Sequence, residues 1–171
     1  MIYFISDTHF GHKGSLSWPN GKARPFKDVN EMNQTIINNW NSIVTDEDTV
    51  YMLGDFAYKC NTTTINHIFN SLKGKIIFIK GNHDGRTLKA NQFKHRFESV
   101  HDRINFEYNG YTFVLDHYPI YSWLLKNRGS IHLHGHTHGT PTNITGKIMD
   151  VSCEALNYKP ISIEDIIKKF N

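Results

Sequence analysis

An α/β fold follows from three features of the sequence: dense apolar runs, helix-spaced apolar residues between them, and alternating segments around Asn109-Gly110. Ile2 to Ser6, Thr49 to Leu53 and Lys75 to Lys80 are nearly continuous apolar stretches rich in β-branched and aromatic residues. Runs of that kind mark strands covered on both faces, as parallel strands are. Between the first two, Asp28 stands three residues before Glu31 in a capping-box spacing, and Met32, Ile36, Ile37, Trp40 and Ile43 recur at helical intervals. Between the second and third, Ile65, Ile68, Phe69 and Leu72 repeat that spacing after Thr62-Thr63-Thr64. The order strand, helix, strand, helix, strand predicts a parallel sheet with crossover helices.

The second half of the chain changes character. Ile104, Phe106 and Tyr108 alternate with polar residues up to Asn109-Gly110, and Tyr111, Phe113 and Leu115 alternate beyond it, which predicts a β-hairpin. Two more short strands are expected near Ile131 to His134 and Ile148 to Val151. A last helix follows, capped by Ser162 with Asp165 behind it and burying Ile163, Ile166, Ile167 and Phe170. Phe10 to Lys27 reads as a long loop, and loops of that length inside a domain are usually functional or disordered.

Length and composition narrow the function classes. The 171 residues fit a single domain over residues 1–171, and 39% hydrophobic with 13% aromatic residues is the balance of a folded chain. The net charge is +3, and Lys73, Lys75, Lys80, Arg86, Lys89, Lys94, Arg96 and Arg103 form a diffuse basic middle rather than a long basic cleft. A nucleic-acid partner is therefore not favoured. Cys60 and Cys153 form no metal pair or disulfide frame, the start lacks a signal-peptide pattern, and no apolar run reaches membrane-spanning length. These features lead us to expect a cytoplasmic protein without membrane contact or an obligate protein partner.

Polar clusters close the expected strands. Asp7-Thr8-His9 follows the first, Gly54-Asp55 the second and Gly81-Asn82-His83-Asp84 the third, while Asp116-His117 and Gly135-His136-Thr137-His138 end two strands of the second half. Ligands of open α/β sheets bind beyond the carboxyl ends of strands, so clusters distant in sequence can converge there. Carboxylate, imidazole and amide oxygen together suit manganese, iron, zinc or nickel. The candidate ligands outnumber what one tetrahedral zinc needs. Two ions roughly 3.5–4 Å apart, bridged by a carboxylate, form the usual clamp for displacement at phosphorus, and Asp55 is our candidate bridge.

In these blocks and in their order the chain resembles the calcineurin-like metallophosphoesterase superfamily, whose pattern D-x-H, G-D, G-N-H-D/E, H and G-H-x-H is matched throughout. The resemblance implies a four-layer α/β/β/α sandwich of two mixed sheets flanked by helices. It also implies Asp7, His9 and His138 on one metal, Asn82, His117 and His136 on the other, and Asp55 between them. The implied reaction is attack by a metal-bridged hydroxide, with His83 protonating the leaving group. The implied cofactors are two divalent ions, manganese first, with iron, zinc or nickel as alternatives.

Many relatives carry a further Asp three residues after the bridging Asp, often followed by Arg-Gly; here that place is Tyr58. What orients His83 is therefore left open, and Asp84 is a candidate partner behind the site or else a turn residue. His12 and Arg24, from the long loop, are substrate-side candidates, Arg24 because a guanidinium grips phosphate with two bonds. The bland reading is a solvated loop arginine. His132 and His134 read as ordinary strand residues, and His67, His95 and His101 as surface residues. Trp18, Tyr118, Tyr121 and Trp123 could stack on a base, although packing is the commoner use of such residues. The expected function is phosphodiesterase action on a small phosphorylated molecule, plausibly a nucleotide. The alternatives are a phosphomonoesterase, a nuclease on DNA or RNA, and a non-catalytic scaffold of the same fold, against which the intact ligand set argues.

Overall fold

Both faces of the first sheet are covered, which explains why its strands read as unbroken apolar runs. The computed structural model describes residues 1–89 and 97–171; Lys94, Arg96 and His95 lie outside the described residues. Strands β1 (Ile2–Ile5), β2 (Thr49–Met52), β3 (Lys75–Ile79) and β4 (Phe97–His101) are parallel neighbours, and β9 (Ile161–Ser162) pairs antiparallel with β1. Their order is β4-β3-β2-β1-β9. Side chains alternate between the two faces. Ile5, Val50, Met52, Ile76 and Phe78 pack against the helices, whereas Phe4, Tyr51 and Ile79 face the second sheet.

Helix α1 (Val29–Asn41) starts where its cap was expected, with Asp28 Oδ1 accepting from the Asn30 and Glu31 amides at 2.9 Å each. Glu31 reaches back to the Lys27 amide at 2.7 Å, one residue earlier than a capping box places it. Helix α2 (Thr62–Ser71) is capped by Asn61, whose side chain accepts from the Thr64 amide at 2.8 Å. Both helices bury their apolar stripe on the outer face of the first sheet.

The second sheet holds β5 (Arg103–Tyr108), β6 (Tyr111–Asp116), β7 (Ile131–His134) and β8 (Ile148–Asp150) in sequence order. Asn109 and Gly110 both take positive φ, 48° and 81°, as a tight hairpin turn between β5 and β6 requires. β6 with β7 and β7 with β8 are parallel. Both sheets are thus mixed, which matches the expected fold class. Phe113, Leu115, Ile131, Leu133, Met149 and Val151 meet the first sheet in a common core, where the Phe4 ring lies 5.4 Å from Tyr51 and 6.1 Å from Phe113. Helix α3 (Ile163–Phe170), capped by Ser162 on the Asp165 amide at 3.1 Å, sends Ile163, Ile166 and Ile167 into that same core.

The far side of the second sheet is covered differently. There His132 is fully buried, its Nδ1 3.0 Å from the Val114 carbonyl and its Nε2 accepting from the Ile120 amide at 3.2 Å, with Trp123 packed on the ring. Among the described residues the cover is the stretch 117–130 with one short 3-10 turn, Lys126–Arg128, rather than a long helix. His132 and His134 are strand residues, as expected, and His67 is exposed. His101 departs from expectation: it is half-buried in β4 with Nε2 2.7 Å from Ser99 Oγ.

Two strands escaped the sequence reading. β4 is an edge strand with half-buried and exposed residues in alternation, and β9 has two residues, too few for any periodic signal. Cys60 and Cys153 are buried free thiols, and no described helix is long and apolar enough to cross a membrane.

Phe4 is fully buried between the sheets. We expect Phe4→Ala to lower the free energy of unfolding by about 3–5 kcal/mol, the usual range for truncating a core phenylalanine. Urea titration followed by tryptophan fluorescence reads it, and a loss under about 1 kcal/mol would mean the inter-sheet core is loosely packed there.

Candidate metal centre

The strand ends are held together by continued backbone pairing beyond the strands themselves. The amides of Asp7, His9 and Phe10 donate to the carbonyls of Gly54, Asp55 and Phe56 at 3.0, 3.0 and 2.8 Å, so the loops after β1 and β2 run side by side. The amide of Gly135 donates to the His117 carbonyl at 3.0 Å within the second sheet, and the amide of Ser6 donates to Val151 at 2.8 Å while that of Cys153 donates to Ser6 at 3.0 Å, which ties the end of the second sheet to the first. All seven expected ligands meet at this junction.

Their backbone is unusual. Asp7, His9, Asp55, His136 and His138 all lie at positive φ, between 47° and 67°. Residues with a Cβ reach that region at a cost of order 1–3 kcal/mol each, and such strain gathers at functional sites. Neighbouring glycines make room: a Cβ on Gly135 would overlap Ser6 Oγ and Asp7 Oδ2, and one on Gly81 would overlap the Asp55 backbone and carboxylate.

Each carboxylate is pinned through one oxygen and leaves the other for the centre. Asp7 Oδ2 accepts from the His136 amide at 2.8 Å, while Oδ1 lies 3.8 Å from His9 Nε2 and 3.5 Å from His138 Nε2. Asp55 Oδ1 accepts from the His83 amide at 2.8 Å, while Oδ2 lies 3.6 Å from His9 Nε2 and 3.6 Å from His117 Nε2. Asn82 Oδ1 lies 3.0 Å from His117 Nε2 and 3.1 Å from His136 Nδ1. His117 Nδ1 faces the Leu53 carbonyl at 2.8 Å, so the proton sits there and Nε2 points its lone pair inward.

The arrangement fits divalent cations. Asp7 Oδ1 and both ring nitrogens of His9 are buried without a hydrogen-bond partner. Such orphans cost about 1–3 kcal/mol apiece unless something else meets them. Asp7, His9 and His138 offer ligand atoms all within 4.8 Å of one another, as do Asp7, Asp55 and His117. Burial alone would push the Asp7 carboxyl up, but the surrounding His9, His138 and His117 hold it down at about 2.

Glu154 is a participant that the sequence reading missed. Its Oε2 lies 3.1 Å from His138 Nδ1, and its Oε1 takes the Arg24 guanidinium at 2.8 Å. The His138 contact is close but poorly aligned for a hydrogen bond. Burial lowers the His138 pKa, yet the Glu154 and Asp7 carboxylates outweigh it and raise the imidazole above its ordinary value. A cation there competes with a proton for the ring, so binding should weaken in acid. Glu154 follows β8 just as the other clusters follow their strands, so the rule that located those clusters could have found it. Asp150 was missed too: it accepts from Thr137 Oγ1 and the Gly139 amide, both at 2.7 Å, and shapes the loop that carries His136 and His138.

The expected phosphate grip by Arg24 is corrected by the structure. Arg24 is 2% exposed, and its guanidinium donates to the carbonyls of Asp7 at 2.6 Å and Thr8 at 2.7 Å as well as to Glu154. It braces the first metal loop from beneath and turns no free edge to a substrate. His12 does reach the site, 8% exposed, packed 5.4 Å from His9 and 4.6 Å from Tyr58 with Nδ1 unpaired. Burial pushes its pKa down to about 4, so the ring is neutral. Asp84 is buried and spends both oxygens on the amides of Asp55, Phe56 and Gly81, at 2.7, 2.9 and 2.7 Å; it does not meet the His83 ring. His83 is half-buried at the rim, its ring 4.3 Å from Tyr58 and 5.7 Å from His9. Trp18 closes the same side, edge-on to His138 at 4.8 Å.

Comparison with known proteins identifies the family. Residues 1–140 match the family model described as calcineurin-like phosphoesterase. An uncharacterized protein of Methanocaldococcus jannaschii is 41% identical over 98% of this chain and 89% of its own length. The Gene 66 protein of Mycobacterium phage L5 is 30% identical over 80% of this chain and 76% of its own. Among solved structures, a protein of unknown function from Aquifex aeolicus superposes with a TM-score of 0.78 at 28% identity, covering 99% of this chain and 98% of that one.

Glu154→Gln removes the charge that faces His138 while keeping the shape. We expect divalent-cation affinity to fall about 10–100-fold, the usual cost of losing a partner behind a metal-binding histidine. Isothermal titration with manganese reads it, and unchanged affinity would remove Glu154 from the support of the centre.

Proposed function

We infer function from family membership: this chain belongs to the calcineurin-like phosphoesterase family, which makes it a metal-dependent phosphoester hydrolase. We propose that two divalent cations occupy the centre, one among Asp7, His9 and His138 and one among Asn82, His117 and His136, with Asp55 shared. The observation that carries this reading is Asp55 Oδ2, equally 3.6 Å from one imidazole of each group. The set mixes oxygen with imidazole and lacks thiolate, which suits manganese, iron, zinc or nickel, and manganese is our first candidate. When bound, such a pair supplies Lewis acidity toward the phosphoryl oxygens and makes water a better nucleophile.

The chain's own residues do the rest. The Asp7 and Asp55 carboxylates, fixed by the His136 and His83 amides, hold the cations at one spacing. His83 stands at the half-buried rim beside the centre and is our general acid, donating a proton to the departing oxygen. Neutral His12, packed against His9 and Tyr58 with its buried Nδ1 unpaired, is the remaining substrate-side candidate.

A small phosphodiester, nucleotide-like in character, is the favoured substrate. Trp18 borders one side of the centre and Tyr118, 43% exposed, lies 4.7 Å from His136 on the other, so aromatic rings stand at both ends of it. A long nucleic acid is less well served. Among the described residues Lys80 is paired with Asp102 and Arg103 with Asp116, which takes up part of the basic middle. A phosphomonoesterase is the second reading, since the same centre serves either ester.

Stripping with chelator and restoring manganese should revive hydrolysis of bis-p-nitrophenyl phosphate more than of p-nitrophenyl phosphate at equal enzyme. The reverse preference would replace the diesterase reading with the monoesterase one, and no restored turnover of either would count against a hydrolytic centre. Asp55→Asn should lose bound metal and activity together, measured by elemental analysis beside the rate; a variant that keeps both ions sinks the shared-ligand assignment. His83→Ala should keep its metal and slow hydrolysis about 10²–10⁴-fold for esters with poor leaving groups, the range that general acids supply.

A further inference from the structure

The His83 ring has no hydrogen-bonding partner among the described residues. Its amide is used, donating to Asp55 Oδ1 at 2.8 Å, but neither ring nitrogen meets a carboxylate or carbonyl. Asp84, the adjacent acid, is fully engaged with the Asp55, Phe56 and Gly81 amides. What does meet the imidazole is Tyr58, with ring centroids 4.3 Å apart and planes tilted by 52°. Other rings near His83 are farther, His9 at 5.7 Å.

Tyr58 is itself held. Its other side packs edge-on to His12 at 4.6 Å with planes at 76°, and His12 in turn meets Trp18 at 5.5 Å. The amide of Tyr58 donates to the Phe10 carbonyl at 3.2 Å, and Phe10 and Ala57 form an isolated parallel bridge, so the Tyr58 backbone is stitched to the loop that carries His9. The imidazole therefore leans against a ring fixed in two directions, whereas a side chain on a half-buried rim would otherwise sample its rotamers freely. Packing against an aromatic face restricts χ1 and χ2 without spending the ring's donor and acceptor nitrogens.

We propose that Tyr58 is the positioning residue of the general acid: its ring, not a carboxylate, holds the His83 imidazole at the leaving-group side of the metal centre. The inference rests on the reading of His83 as acid. Its consequence is that the His83 ring is oriented by packing alone, and the ring nitrogen that carries the proton is free to donate it to the departing oxygen. A histidine tied to a carboxylate would commit one ring nitrogen. Orientation of a reacting group within about 1 Å can be worth about 100-fold in rate, so loss of the Tyr58 ring should appear in turnover, and most strongly where protonation of the leaving group limits the rate.

The test compares Tyr58→Ala, Tyr58→Phe and His83→Ala on a series of phosphodiesters from p-nitrophenyl to alkyl leaving groups, using the manganese-restored enzyme. Metal content and thermal midpoint are measured alongside. Tyr58→Ala should lower kcat about 10–100-fold on alkyl esters and less than about threefold on p-nitrophenyl esters, steepening the dependence on leaving-group pKa. Tyr58→Phe, which keeps the ring, should restore most of the rate. An equal loss across the series, or a Tyr58→Phe loss as large as that of Tyr58→Ala, would overturn ring positioning. The His83→Ala arm separates the two readings: if it too shows no dependence on leaving group, the acid assignment has failed, and if it alone shows one, only the role of Tyr58 has.

Discussion

Asp84 ties two strand ends into one site. Its Oδ2 takes the amides of Asp55 and Gly81 at 2.7 Å each and its Oδ1 takes that of Phe56 at 2.9 Å, so the turn after β2 and the turn after β3 share one acceptor. Burial pushes this carboxyl up, to about 6, even against three donors that favour the charged form. A side chain held at that cost in a fully engaged place fixes a spacing. Here it sets the distance between Asp55 and the Asn82-His83 pair, and everything assembled around Asp55 inherits it. The His83 amide then locks Asp55 Oδ1, which turns Oδ2 toward His9 and His117.

The same logic explains the left-handed residues. A loop leaving a parallel strand in ordinary β conformation carries its side chains away from the strand end. Positive φ at Asp7, His9, Asp55, His136 and His138 turns them back over it. Backbone pairing of Asp7, His9 and Phe10 with the turn after β2 supplies the compensation, and the buried Arg24 guanidinium adds bonds to the Asp7 and Thr8 carbonyls from below. Strain is tolerable because several independent interactions determine each position.

Much of this was legible in the sequence because dense apolar runs and the residues that close them are local signals. β1, β2 and β3, both crossover helices and the Asn109-Gly110 hairpin stand where periodicity and turn chemistry placed them. The convergence of Asp7, His9, Asp55, Asn82, His117, His136 and His138 was readable from their common place at strand ends. What escaped depends on tertiary contacts. Nothing local distinguishes an arginine that grips phosphate from one that braces a loop; Arg24 becomes structural because the Asp7 and Thr8 carbonyls and Glu154, distant in sequence, take up its guanidinium. β4 and β9 are edge elements whose side chains need no continuous apolar pattern. Glu154 and Asp150 lie where the strand-end rule points, but the short β8 carries a weaker signal than the strands of the first sheet.

Support in the site is unevenly distributed, and the unevenness has a physical meaning. On the metal side every expected carboxylate has one oxygen bound to an amide, and His117 and His138 each face a fixed acceptor through Nδ1. Cations there would find ligands whose directions are already set, so little ordering entropy remains to be lost on binding. Around His83 the contacts are rings: His83 on Tyr58, Tyr58 on His12, and His12 on Trp18. Ring contacts restrain orientation yet allow small sliding motions that directional hydrogen bonds resist. A hydrolase must hold its electrostatic clamp still while leaving groups of different shape come and go. Hydrogen bonding beneath the candidate metal ligands, with aromatic packing around His83, divides those two demands between different kinds of interaction.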